Sequence, residues 1–167
     1  VYSTSLLEEE PGYAQKETIE LLCFPDPKLR KKSKDIIFEE EDEEYIRSLA
    51  EDMAFVMSEL GGIGLAAPQI DVHKKMIVVD TQKGESNLSC FINPRIIDRE
   101  GKVTTKERCL SVPEMEISVT RSKNIRLQFK DMQGKSHVKG FKDLMSICIQ
   151  HELDHLDGKI IIDYIAS

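Results

Sequence analysis

At 167 residues and 19.0 kDa the chain has the length of one domain, enough to bury roughly two-thirds of its unfolded surface around a single core. Hydrophobic residues at 40%, charged residues at 32% and the absence of any apolar run near the ~20 residues of a spanning helix exclude a helical membrane protein. A formal charge of −7 argues against a protein devoted to gripping phosphate backbones, and four dispersed cysteines argue against a disulfide scaffold.

Residues 1–18 are polar and aperiodic, broken by Pro11-Gly12, and read as a flexible N-terminal extension ahead of one catalytic domain over 19–167. No charged and apolar leader of the secretory kind opens the sequence. Ile19 to Cys23 is a short apolar stretch, turned by Pro25-Asp26-Pro27. The basic run Lys28, Arg30, Lys31, Lys32 and Lys34 is followed by an acidic run from Glu39 to Glu44, and both read as solvated surface.

From about Asp42 to Leu60, Ile46, Leu49, Ala50, Met53, Val56, Met57 and Leu60 recur three and four apart, predicting an amphipathic helix stopped by Gly61-Gly62. Met76 to Val79 and Leu88 to Asn93 are apolar runs suited to buried strands. Alternation at Ile125, Leu127 and Phe129, with a turn at 131–134, predicts a hairpin. A second helix is expected from about Gly140 to Leu156, ended by Gly158, and a returning strand over 159–165. Helices around several strands without βαβ alternation make the fold class α+β.

Three segments carry chemistry. In His151-Glu152-Leu153-Asp154-His155 the two histidines lie four apart on a helix, ~5–6 Å between Cβ atoms, so both imidazoles can reach one metal ion. Glu152 stands beside them as a candidate proton acceptor. Standing alone, the pattern also fits surface or core histidines with a solvated glutamate. The longer zinc-peptidase signature fails because Ile161 holds the next ligand position, and a glutamate on a later helix needs more chain than the 12 residues after His155. A third ligand therefore comes from upstream.

The second segment, Glu107-Arg108-Cys109-Leu110-Ser111, follows a strand and precedes Pro113, which places Cys109 at a break where a side chain can face a cleft. Cys23, Cys90 and Cys148 read as small buried hydrophobes, and His73 and His137 as exposed. The third segment runs from Gly62 through Ile63, Gly64, Leu65, Ala66, Ala67 and Pro68 to Gln69. Its small residues let a ligand backbone approach, and Gln69 offers an amide donor. It lacks the lysine of a phosphate loop and the third glycine of a dinucleotide loop.

Together, in this order, the three segments resemble the signature motifs of bacterial-type peptide deformylases, over most of the chain from Phe24 to Ile165. The resemblance implies mixed or antiparallel sheets packed around a central metal-bearing C-terminal helix. It implies that Cys109, His151 and His155 hold one divalent metal, Fe2+ in the cell with Zn2+, Ni2+ or Co2+ as alternatives in purified protein. It gives Glu152 the general acid-base role, with Gln69 and the Leu110 N–H steadying the oxyanion.

On this resemblance the reaction is removal of the N-formyl group from the N-terminal formylmethionine of nascent polypeptides. Ile63, Leu144, Ile147 and Cys148 would line the methionine slot, and Gly64 and Glu107 would meet the peptide. The implied partners are nascent formylmethionyl peptides and a transient ribosome contact. A monomer is implied, with no membrane and no sequence-specific nucleic acid, in a bacterial cytoplasm or an organelle of bacterial ancestry. A non-catalytic metal-containing peptide binder and a metallopeptidase are the rival readings. Arg108 departs from the family, which has Gly there. A positive φ at that position would cost Arg about 1–2 kcal/mol, whereas a solvent-facing Arg could meet an acidic peptide.

Overall fold

The computed structural model describes residues 19–81 and 87–165, with backbone pairing alone at 2–4. Strand β1 (Tyr2–Thr4) pairs antiparallel with β2 (Ile19–Leu21), and the rest of the expected N-terminal extension lies outside the described residues. A 3-10 turn at Pro27–Arg30 follows, capped by the Asp26 carboxylate, which accepts from the Lys28 N–H at 2.9 Å.

Helix α1 (Glu43–Glu59) forms where the periodicity placed it. The Asp42 side chain accepts from the Tyr45 N–H at 2.6 Å, and Glu43 and Glu44 in the first turn complement the positive end of the helix. Gly61 at φ 70 turns the chain away in a conformation that glycine adopts without cost. The chain then forms β3 (Gly64–Ala66), a 3-10 turn (Ala67–Ile70) and β4 (Met76–Val79). Next come β5 (Ser89–Glu100), β6 (Val103–Cys109), β7 (Val112–Arg121), β8 (Asn124–Lys130), β9 (Ser136–Lys142) and helix α2 (Asp143–Leu156).

The sheet β3-β4-β5-β8-β9 is antiparallel throughout, and β6-β7 forms a separate hairpin. Among the described residues the parallel pairing is confined to an isolated Lys34–Lys74 bridge, so the sheets are antiparallel rather than mixed. Side chains alternate along strands, so β3 and β4 offer one row to each helix. Leu65, Met76 and Val78 pack with Ile46, Met53 and Val56 of α1, while Ala66, Ile77 and Val79 pack with Cys148, Ile149 and Leu156 of α2. Burial on both faces explains why β4 is an unbroken apolar run.

A third cluster joins Cys109, Val112, Ile117 and Val119 of the β6-β7 hairpin to Leu22, Leu29, Ile160 and Ile161. At ~1.5–3 kcal/mol for each fully buried aliphatic side chain, this cluster is what fastens the hairpin beside α2.

Two boundaries differ from expectation. Gly140 lies in β9, paired with Arg126, so α2 starts three residues later than the periodicity indicated. The segment expected as a strand over 159–165 instead makes a 3-10 turn at Ile161–Tyr164. There the Asp163 carboxylate accepts from the Ile160 N–H at 3.1 Å and from Arg30, a local bonding pattern that competes with strand pairing.

Candidate metal centre

Strand alternation decides what the β6 residues face. Glu107 and Cys109 share the inward row and are 7% and 6% exposed, whereas the Arg108 side chain between them is 82% exposed. Arg108 Nε donates to Glu116 at 3.1 Å, and its φ is not positive, so the strain considered for an Arg at this position is absent. A register shift between Glu107 and Cys109 breaks the ladder there, and the two-residue connection Leu110-Ser111 leads into β7. Such irregularities re-aim side chains, and this one delivers the Cys109 thiol to α2.

On α2, His151 and His155 lie one turn apart with ring centroids 5.3 Å from each other. The donor atoms of Cys109, His151 and His155 all fall within 4.8 Å of one another, and Cys109 Sγ is 3.4 Å from His155 Nε2. Three converging N and S donors, with a cleft on the remaining side, fit a tetrahedral ion that keeps one position open. Glu152 completes the fit, since its Oε1 is buried without a partner. Burial pushes the Glu152 carboxyl up to about 7, partly opposed by His151 and Arg121. The same carboxylate explains Gly64, where a Cβ would come 2.5 Å from Glu152 Oε2.

Glu107, expected to meet the peptide, borders the cleft, and its side-chain oxygens are bonded inside the protein. It accepts from Arg121 Nε at 2.7 Å and from a terminal Arg121 nitrogen at 2.8 Å, and His151 Nδ1 lies 2.9 Å from Oε1. Burial alone would raise the Glu107 carboxyl, but Arg121 and His151 outweigh it and hold it below the usual range. An ionised carboxylate only accepts, so His151 Nδ1 carries the proton and Nε2 is left for a metal. Arg121 also donates to Asp154 at 2.8 Å and to the Tyr164 hydroxyl at 3.3 Å, and that hydroxyl donates to Asp154 at 2.7 Å.

The sequence reading did not find Arg121, Asp154 or Tyr164. One signal was present: Arg121 falls in phase with Ile117 and Val119 on the buried row of β7, and a charge in that phase requires a buried partner.

Gln69 is 1% exposed. Its Oε1 accepts from the Ala66 N–H at 2.9 Å, which fixes the amide so that Nε2 donates to Ser111 Oγ at 3.0 Å and lies 3.9 Å from Cys109 Sγ. A cavity of about 950 Å³ opens onto these groups, lined by Ile63, Gly64, Leu110, Leu144, Ile147 and Cys148 among others. Every residue expected at the site therefore borders this space or the donor group. The other histidines stand apart: His73 is bonded to Asp71 at 2.8 Å and is more enclosed than expected, with its side chain 12% exposed, while His137 is bonded to Asp131 at 2.7 Å and stacked on Phe129. Burial pushes the thiols of Cys90 and Cys148 up to about 12, in keeping with inert packing.

The polypeptide deformylase family model matches residues 18–167. The chain belongs to the peptide deformylase family. Enzymes of this family are metal-dependent hydrolases that remove the formyl group from nascent polypeptides. A relative named peptide deformylase from Nitrosococcus oceani is 40% identical over 149 residues, covering 89% of this chain and 87% of its own length. Peptide deformylase from Thermotoga maritima has the same fold at a TM-score of 0.82 and 31% identity, covering 89% of this chain and 98% of that one. A class I type b peptide deformylase from Acinetobacter baumannii, solved with Met-Ala-Ser bound, superposes at 0.84 with 26% identity, covering 88% and 98%. No helix among the described residues is long and apolar enough to cross a membrane.

Proposed function

We propose that this chain hydrolyses the formyl amide of N-formylmethionyl peptides, with Cys109, His151 and His155 as metal ligands and Glu152 as the catalytic acid-base. The observation that carries the assignment is the convergence of those three donors beside a buried carboxyl with an unpartnered oxygen. When bound, the ion supplies Lewis acidity, activating a water and polarising the formyl oxygen.

Glu152 takes the proton from the attacking water and passes it to the amine nitrogen as the C–N bond breaks, leaving formate and a free N-terminus. Its burial, with one oxygen left unpartnered, suits a group that must accept and then release a proton inside the cleft. The oxygen that gains charge is met by the Gln69 amide and the Leu110 N–H. Ser111 takes one of the two amide hydrogens, and the other is directed at Cys109 Sγ, 3.9 Å away, a weak contact that a substrate oxygen can displace.

Ile63, Leu144, Ile147 and Cys148 form the apolar wall for an unbranched methionine side chain, in keeping with the Met-Ala-Ser held by the Acinetobacter enzyme. The absent Cβ of Gly64 lets the peptide backbone run close to Glu152. Ferrous iron is the proposed ion in the cell, with Zn2+, Ni2+ or Co2+ as substitutes after purification. A monomer acting in a bacterial cytoplasm, or in an organelle of bacterial ancestry, on chains leaving the ribosome completes the reading.

The test is an anaerobic assay of formate release from a formylmethionyl peptide, with metal analysis of the same sample, on the parent and on Glu152→Gln. The variant should keep its metal and lose about 10²–10⁴-fold in turnover, because an amide cannot accept the proton. Near-parental turnover in a metal-loaded variant removes Glu152 from the role. Internal peptide cleavage, or metal without any hydrolysis by the parent, favours the peptidase or the binding protein instead.

A further inference from the structure

His151 does not hold its own orientation. Its Nδ1 leans on the Glu107 carboxylate at 2.9 Å, and Glu107 comes from β6, so the imidazole is only as fixed as that carboxylate. Arg121 of β7 grips both Glu107 oxygens, Nε to Oε2 at 2.7 Å and Nη2 to Oε1 at 2.8 Å. Such a fork sets the two groups relative to each other but leaves the pair free to shift together. The far side of the guanidinium needs an anchor of its own.

That anchor is Asp154 with Tyr164. Arg121 Nη1 donates to Asp154 Oδ2 at 2.8 Å and to the Tyr164 hydroxyl at 3.3 Å, and the hydroxyl donates to the same Asp154 oxygen at 2.7 Å. The three groups close a triangle. Asp154 by itself is a loose anchor, since its side chain is 21% exposed and water competes for its oxygens. The Tyr164 hydroxyl holds the very oxygen that Arg121 uses.

The turn that carries Tyr164 does not depend on these bonds. Its backbone closes with the Asp163 N–H on the Ile160 carbonyl at 2.9 Å and the Ile165 N–H on the Ile162 carbonyl at 3.0 Å, and the Asp163 carboxylate caps the Ile160 N–H at 3.1 Å. Ile160 and Ile161 pack it against the β6-β7 hairpin. A residue kept only to fill that turn could end at its ring, whereas the hydroxyl spends its bonds on β7 and α2.

We propose that Tyr164 is a positioning residue for the metal centre: through Asp154 and Arg121 its hydroxyl fixes the Glu107 carboxylate, and with it the ring of His151. The inference rests on the assignment of Cys109, His151 and His155 as ligands. It makes the 3-10 turn at Ile161–Tyr164 part of the site, although Tyr164 is not among the residues that line the cleft.

The test loads metal-free parent and Tyr164→Phe with Co2+ and reads affinity by chelator competition together with the visible absorption of the bound ion. The variant keeps the ring beside Arg121, its centroid 5.1 Å from Cζ, and removes only the oxygen. Affinity should fall about 3–10-fold, less than the ~10–100-fold of losing a direct partner of a ligating histidine. The absorption bands should shift, since they report the arrangement of donors around the ion. In a Glu107→Gln background the same substitution should change affinity by less than about twofold, because the route to His151 is already cut. Ile161→Val thins the packing of the same turn and leaves the bonds of Tyr164 alone, so it should lower the melting temperature and keep parental affinity and bands. Parental affinity and bands in Tyr164→Phe, an undiminished further loss in the Glu107→Gln background, or an equal loss in Ile161→Val overturns the proposal and leaves Tyr164 a structural residue. Equal Co2+ binding by the parent and by Cys109→Ala strikes the ligand assignment itself, and the proposal falls with it.

Discussion

The β8-β9 and β6-β7 hairpins follow opposite designs. From β8 to β9 the register runs unbroken, Asn124 opposite Lys142 through Lys130 opposite Ser136, closed by a turn in which Asp131 takes the Gln133 and Lys135 N–H groups and Gly134 sits at φ 86. From β6 to β7 the register slips between Glu107 and Cys109, and Glu114 further on holds φ 66, which few non-glycine residues adopt. The regular hairpin serves as wall. The irregular one carries a metal ligand, the Glu107 carboxylate and the Leu110 turn. A continuous ladder fixes each side chain at a pleat position, whereas a slipped ladder can turn one toward a neighbouring helix, and the chemistry sits where the ladder slips.

That contrast can be broken by substitution, and the largest effect belongs to the slipped end. Cys109→Ala should remove the bound metal and with it all measurable formate release, while the fold persists by circular dichroism. A variant that retains stoichiometric metal would show that the irregular hairpin supplies no ligand.

Next comes the network behind it. Glu107→Gln weakens the acceptor of the His151 N–H and leaves Arg121 buried with less compensation, so metal affinity should fall about 10–100-fold, read by chelator competition. Unchanged affinity with a lowered melting temperature would reduce Glu107 to a structural role.

In the regular hairpin, Gly134→Ala places a Cβ 3.2 Å from the Phe38 ring at a positive φ, for about 1–2 kcal/mol of lost stability. Denaturant unfolding should register that loss with formate release per bound metal unaltered. Lowered turnover would mean that the wall and the site are coupled after all.

The smallest change is expected at Arg108→Gly, on the outward row of the slipped hairpin. It removes an exposed pair with Glu116, worth about 0–1 kcal/mol, and should leave metal content and turnover at parental levels. A rise in turnover on formylmethionyl peptides would mean that the side chain obstructs the cleft.

The same contrast explains what could be read in advance. The β8-β9 hairpin was legible from Ile125, Leu127, Phe129 and the turn at 131–134, because a regular ladder writes its period into the residues. Helix α1 was legible for the same reason, and β4 as a run buried on both faces. The metal ligands were visible through the i, i+4 histidines and through resemblance around Cys109. The backing was not. Arg121 joins Glu107, Asp154 and Tyr164 from three separate elements, and no local period records a contact between residues so far apart in sequence. The turn at Ile161–Tyr164 was misread because three consecutive isoleucines, 160–162, fit a strand, while Asp163 and its bonds to Ile160 and Arg30 set the local conformation.

Gly158, at φ 75, has no room for a Cβ, which would come 2.2 Å from the Arg30 carbonyl oxygen, and Arg30 itself bonds the Gly158 carbonyl at 3.4 Å across 128 residues of sequence. In the order of synthesis this means that the Pro27–Arg30 turn, closed early by its own local bonds, waits for almost the whole described chain before it meets its packing partner at Gly158. Cys109 likewise waits for both histidines. The enzyme's own translation must therefore run past His155 before the three donors of the proposed metal site are all present.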